Sequence, residues 1–233
     1  MRGVDEAICG AAHLTLPGAA APGPLPLPPK GRRGAPFTGD DLMPTTAWLE
    51  VRLALIGALR LARGDRGGLS CFDRSADGFW RSFRAAVISY PLYLVLLSMR
   101  VTVAEWETSG AFLIIAVETI AYVIAWTAFP LLMLIVTQRI GRPHRFFDFM
   151  VPYNWSQLPQ SALFVLVGLE TESGVLGSQP AQAIEVAAAV AVLVYEWFIA
   201  RVALETTAGA AVLVVLVDLL LGVLISHVAG GLY

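Results

Sequence analysis

Two long apolar stretches near the end of the sequence are its clearest pattern. Residues 181–204 and 206–229 consist mostly of Ala, Val, Leu and Ile. At a rise of about 1.5 Å per residue, a helix of either length crosses the roughly 30 Å hydrocarbon core of a bilayer. The connector between the two stretches is too short for a domain. The pattern therefore predicts two membrane-spanning helices packed as an antiparallel hairpin.

Three further apolar segments precede this hairpin, at about 85–99, 111–137 and 157–170. The third is short, but without it the Arg cluster before it and the Glu pair after it would lie on the same side of the membrane. We therefore expect it to cross. The predicted fold class is all-α, a polytopic membrane helix bundle with five spans.

The segments before the first span have different patterns. Residues 1–42 are rich in Pro, Ala and Gly, which predicts a disordered tail, and Met43 is an alternative start of the natural protein. Within the predicted cytoplasmic unit 43–80, apolar residues at helical spacing predict an amphipathic helix over 45–63. This helix either lies in the headgroup region or packs on the cytoplasmic ends of the spans. A polar turn follows it.

Composition indicates the class of protein, and the distribution of charge indicates how the spans are oriented in the membrane. With 57% hydrophobic and 15% charged residues, the chain is too apolar for a soluble domain of this length. The arginines before the first span, those of the loop 138–160, and Arg201 fall on one side of the predicted spans. Arg100 falls on the other side with four glutamates. The positive-inside rule predicts a cytoplasmic N-terminus, an external C-terminus and location in a bacterial inner membrane.

Ionisable residues within the predicted spans are the candidate functional groups, since each costs free energy in hydrocarbon. Helical rise places Glu196 and Asp218 at similar depths, and Glu118 at a comparable depth in the second span. We expect these three to form an intramembrane polar cluster. The cluster either responds to protons or cations, or holds the helices together by hydrogen bonds. Glu185 and His227 form a second predicted pair near the outer surface.

Basic residues at the cytoplasmic face are the other candidate site. We predict that they bind anionic lipid headgroups. The residues are Arg81, Arg84, Arg139, Arg142 and Arg145. The aromatic residues of the loop 138–160 indicate that this loop lies on the membrane surface.

Recognisable catalytic and cofactor motifs are missing from the sequence. It contains no phosphate-binding loop, no dinucleotide fingerprint and no metal-ligand spacing. We therefore expect no enzymatic activity, no cofactor, no metal and no nucleic-acid partner. The expected partners are the anionic bilayer and either a membrane protein or a second copy of the chain.

The layout resembles that of the Yip family of five-span membrane proteins. The resemblance rests on the order of spans from Gly78 onward and on the segment Asp77-Gly78-Phe79-Trp80. The entry segment Gly78–Phe83 is also similar to that of uncharacterised bacterial inner-membrane proteins. The Yip resemblance implies a non-enzymatic protein in membrane organisation or partner binding. The alternative hypothesis is a small proton-coupled transporter, or a transporter subunit, that uses the intramembrane carboxylates.

Overall fold

The computed structural model describes residues 43–175 and 177–233, and in this part of the chain the secondary structure is helical. The predicted tail 1–42 lies outside the described residues. The helices are α1 (Met43–Ala62), α2 (Ala76–Ser82), α3 (Arg84–Arg100), α4 (Val103–Ser109), α5 (Ala111–Arg139), α6 (Phe146–Ser173), α7 (Ser178–Ala203) and α8 (Ala208–Gly230). Short 3-10 turns at Arg66–Cys71 and Pro143–Arg145 precede α2 and α6.

Four helical segments are long and apolar enough to cross a membrane. They are Ala76–Arg100, which joins α2 and α3, and the helices α5, α7 and α8. Many of their apolar side chains face outward: Ile120, Leu131 and Leu220, for example, are exposed. An outward-facing apolar surface of this extent is typical of a helix bundle in lipid, so the predicted all-α membrane fold is confirmed at this level.

Helix α6 lies at the centre of the bundle and differs most from the sequence-based expectation. It spans 28 residues, about 42 Å at helical rise, although an apolar segment was expected only at 157–170. The expected surface loop at 138–160 is wrong from Phe146 onward, because Phe149, Tyr153 and Trp155 are buried against the other helices. Polar side chains lower the hydropathy of α6, which is not among the four candidate spans.

Contacts at the two ends of the bundle define the directions of the five long helices. At one end, which we call the α1 end, Ser82 before α3 bonds Asn154 of α6, and Tyr195 of α7 bonds the carbonyl oxygen of Ala58 in α1. At the opposite end, which we call the Glu118 end, Arg100 of α3 pairs with Glu118 of α5. The helices α3, α5, α6, α7 and α8 therefore run alternately between these ends.

The amphipathic helix α1 packs on the bundle. Its buried side chains include Val51, Ala54, Ala58 and Leu61, whereas Trp48 is 69% exposed. Of its two predicted placements, the structure has the one in which α1 packs against α6 and α7.

Charged residues fasten the segments at the α1 end. Arg81 pairs with Glu50 of α1 at 2.9 Å and with Asp73 of the preceding loop. Gly78, between these partners, approaches the carbonyl oxygen of Asp73 so closely that an added Cβ would overlap it. The loop, α1 and the start of α3 therefore form one packed unit.

Candidate functional site

A polar cavity lies between α5, α6, α7 and α8. Its volume is about 620 Å³, within the range of small-ligand sites. The carboxyl groups of Glu196 and Asp218 line it, together with the polar side chains of Tyr153, Asn154, Gln157, Gln160 and Ser226. The remaining wall is apolar and aromatic. We regard this cavity as the candidate functional site.

Two helices of the hairpin place the carboxyl groups side by side. Glu196 of α7 is 8% exposed and lies within hydrogen-bonding reach of Asp218 of α8. Two carboxyl groups at this separation hydrogen-bond each other only if one of them carries a proton, because two carboxylates have acceptors and no donor. The geometry therefore creates a place where one proton can be held between two helices.

Helix α6 supplies the donors around these carboxyl groups. The phenol of Tyr153 donates a hydrogen bond of 2.7 Å to Oδ1 of Asp218. The amides of Gln157 and Gln160 lie within reach of Glu196. Tyr153, Gln160 and Glu196 are buried, and Gln157 and Asp218 are partly exposed. Each hydrogen bond among them offsets part of the free-energy cost of removing a polar group from water.

The α6 residues of the site were missed for two reasons. Tyr153 and Asn154 fall in the segment that was interpreted as a surface loop, and Gln157, Gln160 and Phe164 of the predicted third span were not singled out. A signal was present in the sequence. Tyr153, Gln157, Gln160 and Phe164 are spaced by four, three and four residues, which places them on one face of a helix. All four line the cavity.

Glu118 belongs to a different cluster, so its predicted grouping with Glu196 and Asp218 is wrong. It lies about 12 Å along α5 from Trp126, which borders the cavity, by helical rise. Its carboxylate pairs with Arg100 at 2.7 Å and accepts hydrogen bonds from the phenols of Tyr93 and Tyr233. The cluster joins the end of α3 and the residues after α8 to α5. It fixes these segments at the Glu118 end.

The predicted pair of Glu185 and His227 is not brought together. Both residues are exposed. Oε1 of Glu185 accepts a hydrogen bond of 2.9 Å from the hydroxyl of Thr171. Within residues 48–175 and 177–233, no hydrogen bond or ion pair joins Glu185 to His227. Helical rise predicts that Glu185 and His227 lie at the same depth in the membrane. They do not contact each other, because Glu185 is directed toward α6 instead.

The predicted lipid-binding arginines fall into two groups. Arg81 and Arg84 pair with Glu50, and Arg145 pairs with Asp148 and Glu205. These three are engaged within the protein. The other two, Arg139 and Arg142, have no ion pair within the described part of the chain. They are the members of the predicted set that remain available to an external anion.

Two carboxyl groups in the polar connections, those of Asp73 and Glu105, have pKa values that are shifted for identifiable reasons. For Asp73, burial acts to raise the pKa, but hydrogen bonds from Ser75 and the charge of Arg81 outweigh it, so the pKa is lowered. For Glu105, hydrogen bonds from the side chain and backbone of Thr102, which form a capping box at the start of α4, lower the pKa. Both carboxylates are therefore stabilised in their charged form in the folded protein.

No family model, no curated protein and no solved structure matches the chain. Among the described residues, no group of three or more His, Cys, Asp or Glu side chains is arranged to hold a metal ion. The cavity and its carboxyl pair are therefore the features of this chain that indicate a function.

Proposed function

We propose that the protein is a small proton-coupled transporter, or the membrane subunit of one, whose transport site is the cavity around Glu196 and Asp218. The observation that carries the proposal is the position of this carboxyl pair. It lines a cavity of about 620 Å³ between the more polar helix α6 and the strongly apolar helices α5, α7 and α8. A carboxyl pair that only held helices together would need no space beside it.

The proposal includes an arrangement in the membrane. α3, α5, α6, α7 and α8 cross the bilayer as five spans, with the α1 end in the cytoplasm and the Glu118 end outside. Three observations support it: the alternating direction of the five helices, the length of α6, and the concentration of arginines at the α1 end. In a bacterial cell this is the inner membrane.

The physical basis of coupling is competition for the carboxyl pair. A proton held between Glu196 and Asp218 neutralises one negative charge, whereas a bound solute that interacts with the carboxylates favours its release. A cavity that exchanges proton and solute in this way couples their movements if it opens alternately to the two sides. No covalent chemistry is involved, so the proposed activity is transport and not catalysis.

Solute-dependent proton movement in proteoliposomes tests this proposal. The purified protein is reconstituted with an entrapped pH-sensitive dye, and cationic, neutral and anionic solute mixtures are added outside. We expect at least one mixture to change the internal pH. The change should be lost in Asp218→Asn and Glu196→Gln and retained in Glu185→Gln, a matched carboxyl on α7 outside the cavity. Proton movement that responds to no mixture, or that survives in both cavity variants, contradicts the proposal.

A second candidate function is the organisation of anionic lipid or a membrane-protein partner, as the resemblance to the Yip family implies. The observation that favours it is the pair Arg139 and Arg142 at the α1 end. Neither forms an ion pair within the described part of the chain, although neighbouring arginines do. Such free guanidinium groups at a membrane surface attract anionic headgroups. This function and transport are compatible, because the arginines and the cavity use different parts of the molecule.

A further inference from the structure

The ionisable groups that line the cavity are all acids, with no basic side chain among them. Titratable side chains reach it from three helices: Tyr153 from α6, Glu196 from α7 and Asp218 from α8. Helix α5 contributes no titratable side chain, and none of the lining residues is Arg, Lys or His. An anionic ligand would meet carboxyl groups without a compensating positive charge. The cavity therefore selects against anions.

Aromatic residues from two helices also line the cavity. Trp126 and Phe129 of α5 and Tyr153 and Phe164 of α6 line the cavity. The rings of Phe129 and Tyr153 lie 4.4 Å apart at their centroids, so they form one packed surface. The faces of aromatic rings attract cations, and the attraction grows when water is excluded. Carboxyl groups and ring faces thus favour the same charge.

A backbone acceptor adds to this surface. Pro130 lines the cavity within α5, and a proline has no N–H to donate to the carbonyl oxygen four residues earlier. That carbonyl belongs to Trp126, whose side chain also lines the cavity. This carbonyl oxygen lacks its usual helical donor, so it remains able to accept a hydrogen bond.

We propose that the cavity binds a small organic cation, an amine or quaternary ammonium with an apolar group, in exchange for the proton shared by Glu196 and Asp218. This inference rests on the proposed function and specifies its substrate class. The exchange conserves charge within the cavity, since one positive charge enters as one proton leaves. It therefore avoids leaving an uncompensated carboxylate pair among apolar helices.

The exposed edge of the cavity favours a ligand with an apolar group. Leu219 and Val223 of α8 line the cavity and are 45% and 60% exposed on the surface of the bundle. In a bilayer these side chains face hydrocarbon. The cavity therefore borders the lipid phase, and a cation that partitions into the bilayer reaches it without crossing the packed helices. A metal ion or a strongly hydrated cation does not enter by this lateral route, because it does not partition into hydrocarbon.

Binding of benzyltrimethylammonium to the full-length protein in nanodiscs tests the inference. This probe is permanently charged, so any proton released on binding comes from the protein. Its neutral isostere, neopentylbenzene, has the same shape without the charge. Binding is measured by equilibrium dialysis, and proton release is measured with an indicator dye in weak buffer.

We expect the cation to bind, to release a proton, and to bind more tightly as the pH rises, with a limiting slope of about tenfold per pH unit for exchange with one proton. Neopentylbenzene should release no proton. Asp218→Asn and Glu196→Gln should abolish proton release, Glu185→Gln should retain it, and Trp126→Leu should weaken binding. Equal binding of cation and isostere, or cation binding without proton release, would overturn the inference.

The outcomes separate this inference from the proposed function. If only neutral or anionic solutes drive proton movement in proteoliposomes and benzyltrimethylammonium does not bind, the substrate class is wrong and transport stands. If the cation binds with proton release but drives no flux, the substrate class stands and transport is wrong.

Folding of each variant is checked by its elution as a single species in detergent, and a variant that aggregates is replaced by Asp218→Glu or Glu196→Asp. These conservative variants should keep proton release while changing its pH dependence.

Discussion

The phenol of Tyr153 donates a hydrogen bond of 2.7 Å to the carboxyl group of Asp218, and so joins the central helix α6 to α8. Tyr153 is 8% exposed, and its ring packs against that of Phe129. This contact fixes the position of Asp218 beside Glu196.

Removal of the Tyr153 hydroxyl should destabilise the protein through Asp218. Tyr153→Phe keeps the ring contacts and deletes one buried hydrogen bond, so we expect a loss of about 1–2 kcal/mol in the free energy of unfolding. The measurement is denaturation by SDS in mixed micelles. In an Asp218→Ala background the same substitution should have little effect. An equal loss in both backgrounds would show that the hydroxyl acts elsewhere.

The ion pair between Arg100 and Glu118 should contribute measurable coupling. Glu118 is 2% exposed, and its side chain is held by an arginine and two phenols. We expect a double-mutant cycle with Arg100→Gln and Glu118→Gln to give a coupling of about 1–2 kcal/mol. Solvent screening limits the value, because the Arg100 side chain is 47% exposed. A coupling near zero would contradict the assigned role of this pair at the Glu118 end.

Acid should destabilise the α1 end through Asp73. The pKa of this carboxyl is lower in the folded protein than in the unfolded chain, so its contribution is present above the unfolded pKa. It is lost as the pH falls below about 4 toward the folded pKa. Asp73→Asn should lower stability at neutral pH and flatten the acid dependence. Hydrogen exchange of the segment from Asp73 to Ser82, followed from pH 6 to pH 3, measures this. Parallel acid curves for the variant and the natural protein would exclude Asp73 as the cause.

Anionic lipid retention should depend on the unpaired arginines more than on the paired ones. A guanidinium near the membrane surface contributes about 1 kcal/mol of attraction to anionic headgroups. Arg139→Gln and Arg142→Gln should therefore each reduce retention of phosphatidylglycerol in native mass spectrometry. Arg84→Gln is the matched control, since Arg84 pairs with Glu50 at 2.9 Å. Equal losses for all three variants would show that ion pairing within the protein does not decide lipid binding.

The sequence predicted the helical segments well where aliphatic residues dominated the composition. Long runs of aliphatic residues predicted α5, α7 and α8, because hydrocarbon is the only environment that suits such a run on all faces. It failed for α6, whose first half is aromatic and polar. A helix at the centre of a bundle is shielded from lipid by its neighbours, so its composition resembles that of a soluble core and lowers the hydropathy signal.

The candidate site was only partly predictable for a related reason. Counting residues from the short connector gives the depths of Glu196 and Asp218, because both helices start from the same point. The same count says nothing about rotation around a helix axis. Glu118 was therefore grouped with the wrong residues, and Glu185 was paired with His227. In the structure Glu118 pairs with Arg100, and Glu185 accepts a hydrogen bond from Thr171. These contacts depend on how the helices pack, which cannot be read from a single sequence.

The ranking of functions also changed with the structure. The arginine pattern and the resemblance to the Yip family favoured an organising or partner-binding protein, with transport as the alternative. The cavity beside the carboxyl pair reverses that order in our proposal. Exposed arginines are common at membrane surfaces, whereas a carboxyl pair beside open space within an apolar bundle has few structural uses.

The central claim is that Glu196 and Asp218 hold an exchangeable proton between them inside the cavity. Infrared difference spectroscopy of the protein in nanodiscs tests this directly, because a protonated carboxyl has a C=O stretch separate from those of carboxylates and amides. At neutral pH the account predicts such a band, its loss on raising the pH, and its disappearance in the combined Glu196→Gln and Asp218→Asn variant. An unchanged spectrum in that variant, with the protein still folded, would contradict the account.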